Sequence, residues 1–199
     1  MKNKNIYIFP TDTVYGIGCS LFDEEAQADI YKIKSRKKDK PFAVLCSSLE
    51  QIKEIAIVDQ VSELLINKFM PGALTLILPA KEKTAKILGI ETVGVRIPNH
   101  VIALNLIDDL GPMTTTSVNK SGNEPLNDYY DIVDQFGDEV ENIYKNKYMS
   151  SNLSSSVVFV SNNEVKVLRE GAYSEKNIKE ALNSIENEVI SSKVVKKNN

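Results

Sequence analysis

The chain has 199 residues, 42% of them hydrophobic and 26% charged, with one histidine, two cysteines and no tryptophan. That length fits one domain with a substantial core, and a formal net charge of -3 excludes a protein that coats nucleic acid through bulk charge, so any polyanion must meet a local patch. A single histidine excludes a multi-histidine metal site, and Cys19 and Cys46, without C-x-x-C spacing, fit a reducing compartment better than a zinc site or a disulfide scaffold.

The N-terminal MKNKNIYIFP is too short in its apolar part for a signal peptide, and no later run approaches ~20 apolar residues. A cytoplasmic protein without a membrane span is expected. IYIF, from Ile6 to Phe9, reads as a buried strand ended by Pro10. PTDTVYGIG then reads as a polar loop in which Gly16 and Gly18 allow close backbone approach. It is no dinucleotide fingerprint, because Leu21 stands where a third glycine would be. From Asp23, Ala26, Ile30 and Ile33 recur at helical spacing, which predicts a helix running into KIKSRKKDKP. Six of the chain's 24 basic residues lie between Lys32 and Lys40. They serve either as cations on a helix end, worth about 0.3–1 kcal/mol each, or as an anion site.

PFAVL follows as a strand, since Pro41 disfavours helix at Lys40. SLEQIKEIAI and DQVSELLINKFM read as helices capped by Ser47 or Ser48 and by Asp59. ALTLILP and VGVRIP are predicted strands. Arg96, charged within an apolar strand, calls for an anionic partner, either in a structural ion pair or in a ligand. NHVIALNLIDDLG reads as a helix capped by Asn99 and closed by Gly111. MTTTSVN is a strand running into TTTSVNKSGNEP, whose five hydroxyl residues and Asn119 surround Lys120 and Gly122. This segment is either a polar turn or a receptor for phosphate or carboxylate oxygens, and it does not fit G-x-x-x-x-G-K-[ST]. DYYDIVDQF is a predicted helix. SVVFV and EVKVL, flanking SNN, form a hairpin, with Ser154-Ser155-Ser156 before it and Arg169-Glu170-Gly171 after it. SEKNIKEALNSIENEVI is an amphipathic helix and SSKVVKKNN a basic tail. The pattern predicts one α/β domain with a mixed sheet flanked by helices over residues 1–188, and a tail over 189–199. Cys19 reads as buried filler. A Ser-His-Asp hydrolase would have to use His100, which sits at a helix start and suits it poorly.

Several segments form a series: PTDTVYGIG, K-x-R as Lys34-Ser35-Arg36 with Lys40-Pro41 following, PGALTLIL, VGVRIP, S-x-N as Ser117-Val118-Asn119, SSVV and LREGA. In this order they resemble the YrdC family, the threonylcarbamoyl-AMP synthases, in a short form without an added C-terminal domain. The resemblance implies a twisted α/β sheet around a concave basic cavity. It also implies a reaction: L-threonine, bicarbonate and ATP give threonylcarbamoyl-adenylate and pyrophosphate, with Mg2+ held by the triphosphate. Downstream transfer proteins would use the product to build N6-threonylcarbamoyladenosine in tRNA. Carried over by position, the resemblance implies Lys34 and Arg36 as catalytic residues facing phosphates. Arg36, Lys40, Thr92, Ser117, Asn119 and Arg169 would bind ATP, and Thr13, Arg96, the Thr115 backbone and Ser155 would bind L-threonine. It implies no metal ligand from the protein. The chain departs from the family pattern at Ala73, at Leu45 where long relatives carry a histidine, at Phe159 after SSVV, and in SGNEPLN.

The rival reading is a non-catalytic module of the same fold that holds tRNA, double-stranded RNA or a nucleotide, with steep salt dependence for the nucleic acid. The hydroxyl and amide positions exceed what an electrostatic surface requires, and no aromatic-basic interleaving points to base stacking.

Overall fold

The computed structural model describes residues 2–37, 40–146, 151, 153–162 and 164–184. The expected tail over 189–199, the end of the last predicted helix, and Lys38 lie outside these residues. In chain order the elements are β1 (Asn3–Phe9), β2 (Gly16–Ser20), α1 (Glu24–Ile33), β3 (Ala43–Leu45), α2 (Leu49–Ile55), α3 (Gln60–Phe69), β4 (Leu74–Pro79) and α4 (Glu82–Leu88). Then come β5 (Thr92–Arg96), α5 (Val101–Leu110), β6 (Met113–Ser117), α6 (Tyr129–Phe136), β7 (Val140–Ile143), β8 (Ser156–Ser161) and β9 (Glu164–Arg169). Residues 175–184 form a final helix. No helix among the described residues is long and apolar enough to cross a membrane.

The strands form one nine-stranded sheet in the order β7-β1-β2-β6-β3-β5-β4-β8-β9. It is mixed, as expected. β1 with β7, β3 with β5 and β4 with β8 are parallel, and the other pairs are antiparallel.

Local signals account for most helix starts. Asp23 accepts from the Ala26 amide, Ser48 from the Gln51 amide, and Asp59 closes a capping box with Ser62. At α5 the cap is His100, whose side chain accepts from the Ile102 amide, rather than the expected Asn99.

Three elements were not anticipated: β2, α4 and β7. Pro10 to Tyr15 form the expected loop, but the last three residues of PTDTVYGIG begin an interior strand. Its glycines serve close packing. A Cβ on Gly16 would meet Thr115 Cγ2 at 2.7 Å, and one on Gly18 would meet the Thr114 carbonyl oxygen at 2.4 Å. The expected run of α1 into the basic cluster also stops short. The helix ends at Ile33, and Ser35 turns the chain with φ 51°, so Arg36 leaves the helix axis instead of stacking one turn above Lys32.

Strand periodicity then decides what each face does. Val44, Leu74, Leu76, Leu78, Val93, Val95, Val158 and Val160 pack with Ile52 and Ile55 of α2 and Leu65 and Ile66 of α3. Ile6, Ile8, Ile17, Ala26, Ile30, Ile132 and Phe136 form a second cluster between β1, β2, α1 and α6. Phe9, Leu45 and Met113 meet Ala103, Leu106 and Ile107 of α5. Each fully buried aliphatic side chain contributes about 1.5–3 kcal/mol. The alternate residues of β3, β4, β5 and β6 face the other way, into a cavity.

Candidate functional site

The cavity has a volume of about 540 Å³. Its floor is a row running across four strands. Thr115 of β6 pairs with Ala43, Ala43 with Gly94, and Gly94 with Ile77. Three of these four residues are small, which hollows the sheet face. Gly94 matters most, because its Cβ would stand 3.1 Å from Ile77 Cδ1 and anything longer would rise into the cavity.

The same registers set the cavity's two ends. Arg96 is level with Leu45, which pairs with Met113. Ser117 and Thr92 each lie four residues away along their strands, roughly 13 Å at the usual rise.

At the first end Arg96, 6% exposed, donates from Nε to the Gly72 carbonyl (2.9 Å), from Nη1 to Thr13 Oγ1 (2.8 Å) and from Nη2 to Asp12 Oδ1 (2.6 Å). Asp12 Oδ1 also accepts from the Asn99 amide at 3.0 Å, tying the loop after β1 to the start of α5. Burial lowers the pKa of Arg96, and the Asp12 carboxylate opposes that shift. Of the five guanidinium donors, one on each terminal nitrogen remains beyond these three bonds. The Thr75 and Ser155 hydroxyls share a hydrogen bond of 2.9 Å, and Arg169 Nη2 donates to the Ser155 carbonyl at 2.8 Å. Ser156 Oγ accepts from the Gly171 and Tyr173 amides at 3.0 and 2.8 Å. A Cβ on Gly171 would lie 2.2 Å from the Ser154 carbonyl oxygen. The glycine of LREGA is therefore what lets that segment close on the three serines.

At the second end Arg36 donates from Nε to the Lys40 carbonyl (3.0 Å) and from Nη2 to the Pro41 carbonyl (3.1 Å), with its guanidinium 5.6 Å from the centre of the Phe42 ring. Ser117 Oγ donates to Asn119 Oδ1 at 2.9 Å.

Thr13, Arg36, Thr92, Arg96, Thr115, Ser117, Ser155 and Arg169 all line this one cavity. Lys34, Lys40 and Asn119 do not. Lys34 is 1% exposed, and its ammonium donates to the Ser117 carbonyl, to the Asn119 carbonyl (2.7 Å) and to Asn119 Oδ1 (2.8 Å). A phosphate-facing lysine would hold its ammonium in the cavity, whereas this one is enclosed by the 117–119 turn. Burial, with Arg36 and Lys120 nearby, pulls its pKa down to about 7, while the three acceptors favour the charged form. Asn119 is likewise occupied inside its turn, with Nδ2 donating to the Asn123 carbonyl at 2.7 Å. Lys40 contributes its carbonyl to Arg36 and is exposed.

The sequence reading missed Asp12, Thr75 and Gly94. Thr75 carried the signal used for Arg96, a polar residue within an apolar strand. Leu45 lines the cavity as an apolar residue, while Phe159 lies off the lining. Burial raises the Cys19 thiol to about 12, which leaves it inert as a nucleophile. Among the described residues no three His, Cys, Asp or Glu side chains form a metal site. The cavity therefore combines three guanidinium groups with hydroxyls on its walls, an arrangement suited to an anionic ligand extended between the two ends.

A family model named Sua5_yciO_yrdC, with the description telomere recombination, matches residues 1–171. The chain is 31% identical over 189 residues to a threonylcarbamoyl-AMP synthase of Pyrococcus abyssi, covering 93% of this chain and 56% of that protein. Against the crystal structure of P. abyssi Sua5 complexed with L-threonine, the TM-score is 0.83 at 31% identity, covering 89% of this chain and 53% of that one. The chain thus spans about half the length of that relative. A threonylcarbamoyl-AMP synthase of Aliivibrio fischeri is 30% identical over 144 residues, 69% of this chain and 78% of that protein. E. coli YciO superposes with a TM-score of 0.78 at 28% identity, covering 88% of this chain and 87% of that one.

Proposed function

The chain belongs to the Sua5/YciO/YrdC family, and from that premise we propose that it makes L-threonylcarbamoyl-adenylate from L-threonine, bicarbonate and ATP. The observation that carries this reading is the convergence of Arg36, Arg96 and Arg169 with Thr13, Thr75, Ser117 and Ser155 on one cavity with two separated ends.

The amino acid takes the Arg96 end. Its carboxylate meets the two guanidinium donors left after Asp12, Thr13 and Gly72, and its hydroxyl lies within reach of the Thr75 and Ser155 hydroxyls. The triphosphate takes the other end, with Arg36 and Ser117 along it. Arg169, beside Ser155, faces the α-phosphate where the two substrates meet. The neutral amine and bicarbonate give a carbamate and release water. A carbamate oxygen attacks the α-phosphorus, the bond from that phosphorus to the bridging oxygen breaks, and pyrophosphate leaves. Guanidinium groups held by the fold stabilise charge building on the non-bridging and leaving oxygens, and one such donor is worth about 3 kcal/mol. Holding both reactants in one cavity removes much of the entropic barrier. Magnesium, which binds oxygen ligands and substrate phosphates, would arrive on the triphosphate and add charge neutralisation. The product would pass to proteins that transfer the threonylcarbamoyl group to tRNA adenosine.

The test is incorporation of labelled bicarbonate into threonylcarbamoyl-adenylate by purified protein with ATP, Mg2+ and L-threonine, with L-serine as the control. Threonine-dependent product is the expected result. A folded, ATP-binding protein that yields none overturns the synthase reading, and salt-dependent RNA retention by that protein would favour the binding module.

A further inference from the structure

We infer that Lys120, which lies outside the cavity and touches none of its lining hydroxyls, positions the nucleotide end of the site. The inference rests on the nucleotide placement proposed above. The last carbonyls of an α-helix have no intrahelical donor and need partners from elsewhere. At the end of α1, the Ile30, Tyr31 and Lys32 carbonyls are met locally, by the amides of Lys34 (3.0 Å), Arg36 (2.9 Å) and Ser35 (3.0 Å). The next two are met from another part of the chain. Lys120 Nζ donates to the Ile33 carbonyl at 2.6 Å, and the Ser121 amide donates to the Lys34 carbonyl at 2.8 Å. In return, Lys34 sends its ammonium into the 117–119 turn, as described above.

Two lysines therefore cross between the segments in opposite directions. Lys34 holds the turn that carries Ser117, and Lys120 holds the helix end from which Arg36 departs. Arg36 and Ser117 both line the cavity, so the clamp fixes them relative to each other. The Lys120 ammonium also lies 5.1 Å from the centre of the Phe136 ring and 3.5 Å from Glu139 Oε1. These contacts aim it at the helix end, where a cation also complements the dipole. Replacing Lys120 leaves the Ile33 carbonyl without its charged donor, so the 117–123 segment is tied to the end of α1 only by the Ser121 amide and the Lys34 ammonium. The helix end from which Arg36 departs is then less firmly set relative to Ser117, while the Arg96 end keeps its own frame.

The experiment uses the full chain as wild type, Lys120→Met and Lys120→Arg. ATP affinity is measured by titration calorimetry, and KM for ATP and for L-threonine by adenylate formation. Lys120→Met should weaken ATP binding and raise KM for ATP by about tenfold, as expected for one charge-assisted hydrogen bond. KM for L-threonine should stay within about twofold, and Lys120→Arg should recover most of the loss. Lys120→Gln, too short to reach Ile33, is the second removal variant should Lys120→Met not fold. Wild-type ATP affinity in a folded removal variant overturns the inference and leaves the synthase reading standing. So does an equal loss for both substrates that tracks the unfolded fraction. A wild-type protein that does not bind ATP at all overturns both.

Discussion

The two ends of the cavity hold their arginines in different ways. Arg96 is buried and bound by a side chain from a distant segment, the carboxylate of Asp12, 2.6 Å away. Arg36 is half-buried, held by the carbonyls of its own loop and by the face of Phe42. A largely buried pair fixes its geometry, and removing one partner leaves the other's charge uncompensated. A guanidinium held by local carbonyls can be removed with little damage to the fold, but its position depends on what anchors the loop. The contrast suits the proposed substrates: a small amino acid needs one fixed orientation, and a triphosphate is followed by a loop braced from behind.

The hardest way to break this contrast is to remove both arginines separately. Arg96→Ala should cost about 3 kcal/mol of stability, because the Asp12 carboxylate keeps only the Asn99 amide among the described residues and its charge is left uncompensated, and a urea titration would read the loss as a lower midpoint. A midpoint within experimental error of wild type would mean that Asp12 finds water and the end is not rigid. Arg36→Ala should cost under about 1 kcal/mol of stability, yet lose about 3 kcal/mol of transition-state stabilisation, read as kcat/KM for adenylate formation. Should the stability losses of the two variants match, the two ends do not differ as described.

Gly94→Val fills the floor between the ends and presses on Ile77 Cδ1. Overpacking of this kind costs about 1–3 kcal/mol, and both substrates should bind more weakly. An effect confined to one substrate would show that the ends are less connected than the floor implies.

A further effect is pH-dependent and belongs to Lys34. Its folded pKa, about 7, lies below the unfolded 10.5, so the unfolded chain holds more protons between these values. Stability contributed by this group therefore rises with pH across that window, and it is lost as pH falls through 7. Over the same window relief of the buried charge favours the fold, but a neutral amine has two donors for three acceptors, so Ser117 is held less tightly and KM for ATP should rise. Both trends should vanish in Lys34→Met. If that variant keeps them, they arise from another group.

Much of this molecule was legible in its residues. Alternation of apolar runs with helical spacing set out the α/β pattern, Asp23, the Ser47-Ser48 pair and Asp59 marked helix starts, and the strung-out hydroxyl and arginine motifs marked the cavity walls. These signals are local: a cap or a period-2 strand depends on residues a few places apart. The strand at Gly16–Ser20 was hidden because its glycines answer a packing demand from Thr114 and Thr115, almost a hundred positions away. The pairing of Asp12 with Arg96 depends on bringing the loop after β1 against the end of β5. The fate of Lys34 turned on where α1 stopped. A lysine one residue past a helix end can reach a cavity, solvent or a neighbouring turn, and only the packed 117–121 segment, with three oxygens waiting, decided among them. Sequence by itself determined which faces were apolar and which residues could carry charge. The tertiary structure decided which charges face a ligand and which hold the site together, because that depends on partners brought together only by folding.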